Sequence, residues 1–220
     1  MPILTILLLF IAACAPAKSL SGVTAVTQPA ATLASPQVPN CNPAPIIVPS
    51  LPSVIPGIAE LDPVTGLHMT GTPQVIDLPS YRLLVTGLVE QPLSLKYDDL
   101  RCLPKVTASP ELICPGSFSD TASWSGVPIA EVLKLARPKP EAQTISLISA
   151  DGYQVPIDLN MAMDPKNFLA YELEGQPLPV LHGFPLRAVL PGTIGGEWVK
   201  WLVEINVNEQ KIYRIGFLGK

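Results

Sequence analysis

Charge is scarce in this sequence. Asp, Glu, Lys and Arg together make up 15% of the 220 residues, and the formal net charge is −4. A nucleic-acid surface needs a concentrated basic patch, so nucleic acid is excluded as a partner; a few basic residues collected in one pocket are not. Histidine is scarcer still, at two residues, His68 and His182. Neither an H-E-x-x-H pair nor a G-x-S-x-G elbow occurs, which removes the common zinc and serine hydrolases. Long apolar runs are also missing. The run from Ile3 to Ala13 falls well short of the roughly 20 residues that a membrane-spanning helix needs.

That run has instead the length of a signal-peptide h-region, although no Lys or Arg precedes it. It ends in Ile11-Ala12-Ala13-Cys14, which resembles the bacterial lipobox, where the cysteine becomes the lipidated first residue. We read residues 1–13 as a signal peptide and Cys14 as the lipidation site. The chain is then exported and lipid-anchored to the membrane on its extracytoplasmic face. Residues 14–63 are rich in Pro, Ala, Ser, Thr and Val. Proline fixes φ and removes a donor, so a semi-extended tether is expected there rather than helix or sheet. The folded domain is expected over residues 64–220, with its regular structure starting near Val75.

Within the domain, short strands mix with short helices. Tyr81–Gly87 is strand-like and ends on a turn glycine, and Leu93–Leu100 reads as a strand leading into a helical turn. Lys105–Cys114 is a further strand region. Ile129–Ala136 has apolar residues at 129, 132, 133, 135 and 136, a short amphipathic helix stopped by Pro138. Thr144–Ile148 and Tyr153–Leu159 flank Asp151-Gly152, a hairpin signal. Asn160–Asp164 is a turn or helical start. Phe168–Leu173 fits helix and strand equally, and Phe184–Leu190 and Val199–Val207 read as closing strands. No βαβ repeat is visible, so the fold class is α+β.

Beyond Cys14, three cysteines remain: Cys41, Cys102 and Cys114. The number is odd, so at least one is unpaired within the chain. Exported cysteines usually pair, and both Cys102–Cys114 and Cys41–Cys102 are open. Cys114 ends a strand-like run and enters a Pro-Gly turn, with Trp124-Ser-Gly-Val-Pro128 soon after. Ser149-Ala-Asp-Gly-Tyr153 follows. A long block then runs from Leu169 through His182-Gly-Phe-Pro-Leu-Arg187 and Pro191-Gly192 to Val199-Lys-Trp-Leu202. This ordered series resembles the molybdopterin-binding domain of the sulfite oxidase family over roughly Val75 to Val207. That family includes sulfite oxidases, assimilatory nitrate reductases and a periplasmic methionine sulfoxide reductase.

The resemblance implies a molybdenum-molybdopterin cofactor and an oxidoreductase. It makes Cys114 the protein ligand to molybdenum and hence the catalytic residue. A thiolate is a soft donor suited to a metal that also carries dithiolene sulfurs. His182 and Arg187 are implied to hold the pterin phosphate and ring edge; a guanidinium binds phosphate bidentately. Trp198, Val199 and Lys200 match a segment whose amides and lysine contact the cofactor, and Ser149 falls near another contact position. Trp124, Tyr171 and Glu172 read as structural, and Asp120 as a residue solvating its loop, with a proton relay as the alternative.

Departures from the family bear on the substrate. Sulfite oxidases carry an Arg-Asn-His stretch where this chain reads Leu67-His-Met-Thr70, and an arginine pair where it reads Ser117-Phe-Ser-Asp120. Sulfite is therefore disfavoured, and oxygen-atom transfer on some other small-molecule substrate is expected. No heme- or flavin-binding pattern is present, which implies a separate electron-transfer partner, a cytochrome or a quinone-linked membrane protein. The alternatives are a non-catalytic lipoprotein binding module that keeps the fold without metal, and a surface domain stapled by Cys102–Cys114.

Overall fold

In the computed structural model of the chain, the described residues are 41–210. The leader and the Cys14 position lie outside them. The elements in chain order are β1 (Leu83–Gly87), β2 (Leu93–Leu95), α1 (Tyr97–Arg101), β3 (Val106–Ala108), β4 (Glu111–Cys114), β5 (Phe118–Thr121) and β6 (Trp124–Pro128). Next come α2 (Ile129–Ala136), β7 (Thr144–Ser149), β8 (Gln154–Asp158), α3 (Leu159–Met163), β9 (Phe168–Leu173), β10 (Gln176–Pro177), β11 (Arg187–Val189) and β12 (Leu202–Asn208). Single 3-10 turns lie at Val180–His182 and Gly195–Glu197.

Two sheets and a separate hairpin result. One sheet has the order β2-β1-β12-β7-β8, with β1 and β12 parallel and the other pairs antiparallel. The other has the order β10-β9-β6-β3, and β11 also pairs with β9. β4 and β5 form a two-stranded hairpin. Mostly antiparallel sheets with a few short helices make an α+β fold, as the mixed element order implies.

Local chemistry explains the elements. The β7–β8 hairpin turns at Asp151-Gly152, where Gly152 has φ +85°. The apolar positions of α2 form one buried face with Leu135 half-buried, and Arg137, in left-handed conformation, closes the helix by donating its N–H to Leu133. β9 reads ambiguously because five of its six residues are buried. It lies between β6 and the pair β10 and β11, so its burial has no period to read. Lys105–Cys114 is not one strand. Ser109-Pro110 interrupts it, and β3 and β4 pair with different partners. At Gly126, a Cβ would sit 1.9 Å from the carbonyl oxygen of Leu169, so the approach of β6 to β9 requires glycine.

Residues 41–63 carry no helix or extended strand; most are exposed, and they are tied to the domain at a few points. Cys41 is disulfide-bonded to Cys102, 61 positions away. Arg101 donates to the carbonyl of Ala44, Leu61 forms a bridge with His68, and Asp62 is buried.

Candidate functional site

The disulfide settles the cysteine arithmetic. Cys102 is taken by Cys41, the Cys102–Cys114 pairing does not form, and Cys114 is free. It ends β4 at the hairpin tip, opposite Phe118, and its carbonyl accepts from the N–H of Ser117. Gly116, with φ +76°, makes the turn. Burial pushes the Cys114 thiol up, as does Asp120, while Lys200 and Arg187 pull it down.

The turn at Gly195–Glu197 packs directly on this cysteine. A Cβ on Gly195 would lie 2.6 Å from Sγ of Cys114, so the cradle around the sulfur has no room for a side chain there. Ile194 is bridged to Ile113, which fixes the turn to β4. The chain then runs straight into Trp198, Val199 and Lys200. All three line a cavity of about 260 Å³ together with Ser149, Gly196 and Tyr153. The Tyr153 hydroxyl closes one side by donating to the carbonyl of Gly196. Ser149 is buried at the end of β7, and its hydroxyl accepts from the N–H of Asp151.

Two basic side chains serve this cavity, Lys200 half-buried on its wall and Arg187 buried behind it. Lys200 donates Nζ to the carbonyls of Thr70 and Leu181. Burial, then Arg187, pulls its pKa from 10.5 to about 7. Arg187 leaves β11 between two tryptophans, its guanidinium carbon 4.5 Å from the Trp124 ring centre and 5.8 Å from that of Trp198. It donates to the carbonyls of His182 and Trp198. Burial brings its pKa to about 10, against Asp120 and Cys114, which raise it. It stays charged at neutral pH, and its buried Nε has no partner among the described residues. A buried, charged donor without an acceptor is costly.

His182 stands one layer further back. Its Nε2 is 3.0 Å from Asp62 and 2.8 Å from the Thr65 hydroxyl, which itself donates to Asp62. The separation is that of an ion pair, yet His182 is neutral at neutral pH. Burial, Lys200 and Arg187 bring its pKa to about 4, and Asp62 only partly offsets them. We therefore assign the ring proton to Nε2, which donates to Asp62. Burial alone would raise the Asp62 carboxyl, but bonds from Val64, Thr65 and His182 hold it below its ordinary value. His182 thus meets Arg187 through its carbonyl, while its ring braces the segment before the domain.

The structure brings Cys114, Ser149, Arg187, Trp198, Val199 and Lys200 into one region, with His182 behind. Trp124 and Tyr171 are core residues, and Glu172 pairs with Lys105. Asp120 does not solvate its loop. Both its oxygens are bonded to His68, one to Nδ1 at 2.7 Å and one to the main-chain N–H at 2.9 Å. Sequence reasoning missed His68. Its signal was parity: Asp120 and Phe118 lie two apart on a strand facing Cys114, and a partner was needed for the carboxylate.

Among the described residues, no group of three or more His, Cys, Asp or Glu could hold a metal ion. What the site offers instead is one free thiol, a half-buried lysine and a buried arginine with an orphaned guanidinium nitrogen. That set fits a cofactor that brings sulfur ligands of its own and an anionic group.

Comparison with known proteins agrees. The family model described as the oxidoreductase molybdopterin binding domain matches residues 68–214. The chain is 36% identical to the sulfite oxidase of Arabidopsis thaliana, over 61% of this chain and 44% of that protein. It is 36% identical to the NADPH nitrate reductase of Aspergillus niger, over 59% of this chain and 18% of the other. It is 33% identical to a putative protein-methionine-sulfoxide reductase subunit of Azospira oryzae, over 58% and 48%. The crystal structure of the sulfane dehydrogenase SoxCD from Paracoccus pantotrophus superposes with a TM-score of 0.60 at 26% identity, over 63% of this chain and 40% of that one. The chain spans less than half the length of each of these relatives. With more than half of its own length matched, the chain belongs to the oxidoreductase molybdopterin-binding domain family, whose cofactor is molybdenum-molybdopterin.

Proposed function

We propose that this chain is an extracytoplasmic molybdenum-dependent oxidoreductase that moves an oxygen atom to or from a small substrate. Written as a reduction, XO, two protons and two electrons give X and water. When bound, the molybdenum-molybdopterin cofactor would supply the metal for that two-electron exchange. Cys114 provides its sulfur, Arg187 and Lys200 hold the anionic part of the cofactor, and Trp198, Val199 and Ser149 shape the cavity. The electrons go to or come from a separate partner, a cytochrome or a quinone-linked membrane protein. Sulfite is not the substrate in this reading, because Asp120 follows the cysteine turn where an anion would need a cation.

The observation that carries the reading is the free Cys114 at a hairpin tip, in a chain whose other described cysteines are bonded to each other. An exported, lipid-anchored location is supported by the Ile3–Cys14 leader and by the disulfide, since such bonds persist in oxidising compartments.

The test is elemental and pterin analysis of protein purified from a host that makes molybdenum cofactor. Near-stoichiometric molybdenum with releasable pterin is expected, and a Cys114→Ser variant that stays folded but loses the metal. Absence of both metal and pterin from the wild type would leave a non-catalytic binding module instead. The location is read separately, from mass analysis of the N-terminal peptide for a lipidated Cys14.

A further inference from the structure

The β4–β5 hairpin sets four side chains on one face. Leu112 stands opposite Asp120 and Cys114 opposite Phe118, and directly opposed residues of an antiparallel pair share a face. Gly195 packs on that same face, against both Cys114 and Leu112. Asp120 is therefore on the cysteine side of the hairpin, and it is immobilised there. His68 holds both of its oxygens, and the His68 ring is stacked on Phe118, with centroids 4.2 Å apart and planes within 13°. Its charge reaches the whole cluster: it raises the pKa values of Cys114, Arg187 and Lys200 alike.

A charge count follows. The cations facing this region are Arg187 and Lys200. Arg187 stays charged, whereas Lys200, brought to about 7, is mostly neutral by pH 8, so the Asp120 carboxylate on the cysteine face offsets the one cation that remains. His182 is neutral, and Asp62 is satisfied by Val64, Thr65 and His182. An anionic cofactor then tips the balance to negative before any substrate enters. An oxyanion would meet no cationic surplus beside Cys114, whereas an uncharged oxo compound would meet no penalty.

We propose that Asp120, clamped by His68, is a specificity-determining residue that turns the space beside Cys114 away from oxyanions and toward uncharged oxo compounds. This deepens the oxygen-transfer reading and rests on it for its meaning, but the charge selection can be measured without the metal.

The experiment uses the full chain free of cofactor at pH 8 and low salt, above the ordinary imidazole range. Cys114 is alkylated in parallel with iodoacetamide, which is uncharged, and iodoacetate, which is an anion. Both form the same carbon–sulfur bond and expel iodide. The ratio of their rates at the Cys114 peptide, read by mass spectrometry, cancels the fraction of thiolate. Asp120→Asn and Asp120→Ser should each raise the iodoacetate-to-iodoacetamide ratio about threefold or more, as befits one unit charge well within a Debye length. Asp120→Glu should leave the ratio near that of the wild type. Circular dichroism verifies the fold of each variant, and two different neutral replacements guard against one that does not fold. An unchanged ratio in the folded neutral variants would overturn the proposal. Failure of the molybdenum reading shows elsewhere, as missing metal in protein from a competent host.

Discussion

The guanidinium of Arg187 lies 4.5 Å from the ring centre of Trp124, and its Nε finds no acceptor among the described residues. Stacking on an aromatic face holds a planar cation in place without using its donors. Arg187→Lys keeps the charge but loses the plane and the fork. It should lower pterin occupancy about tenfold, the scale of losing a bidentate anion contact, while the protein stays folded. Arg187→Ala should lower it further and cost about 1–3 kcal/mol of stability, through the carbonyls left unpaired. Pterin release and urea denaturation measure the two effects.

Gly195 gives a steric test of the cysteine cradle. An added Cβ would sit 2.6 Å from Cys114 Sγ and 2.7 Å from a methyl of Leu112. Gly195→Ala should push the sulfur out of position and cut molybdenum content about tenfold. Its stability cost should be about 1–3 kcal/mol, that of an overpacked site. Metal analysis beside thermal unfolding separates local displacement from global loss of fold. Full metal occupancy would show that the turn yields.

Two basic side chains, the buried His182 and the half-buried Lys200, make the cofactor-free protein pH-sensitive, each in the same direction. His182 titrates near 4 when folded against 6.5 ordinarily, and Lys200 near 7 against 10.5. In each window the unfolded chain binds a proton that the folded chain does not, so stability rises with pH. Stability should therefore climb from about pH 4 to 6.5 through His182, and again above about 7 through Lys200, until the raised Cys114 thiol and the buried tyrosines Tyr81, Tyr97 and Tyr171 oppose it at alkaline pH. Lys200→Met should flatten the second rise and narrow the first, because the Lys200 charge helps to lower His182. Urea midpoints across pH, on wild type and variant, give the answer; a second rise that persists in Lys200→Met assigns it to another group.

The Cys41–Cys102 bond closes a loop with a sequence separation of 61, for which chain entropy gives about 4 kcal/mol at most. Cys41→Ser should lower stability by a large part of that. It should also loosen the segment that carries Asp62, and so the bonds to His182 and Thr65. Denaturation with and without reductant measures the first, and hydrogen exchange at residues 62–67 the second. Wild type and variant that unfold alike without reductant would show that the bond adds nothing.

Much of the domain was legible because its signals are local. Asp151-Gly152 announces a hairpin, the apolar spacing before Pro138 announces α2, and the series from Leu169 to Leu202 carries the family resemblance. Asp120 was misread for the opposite reason. It stands in a polar stretch, Ser117 to Thr121, that looks solvated, and its partner His68 lies 52 residues earlier. Nothing near it in the chain marks a half-buried pair.

The sequence by itself carried the α+β class, a sparse charge that argues against a nucleic-acid surface, and, once Cys14 is set apart as the lipidation candidate, three cysteines of which at least one is left over. Those follow from spacing and number, which are properties of the chain. Which thiol stays free, and what surrounds it, was decided by the tertiary structure. Only folding brings Cys41 to Cys102, lays Gly195 against Cys114 and seats Arg187 between Trp124 and Trp198. Each of these is a contact whose partners no local pattern names, and each depends on how separate strands and turns converge on one core.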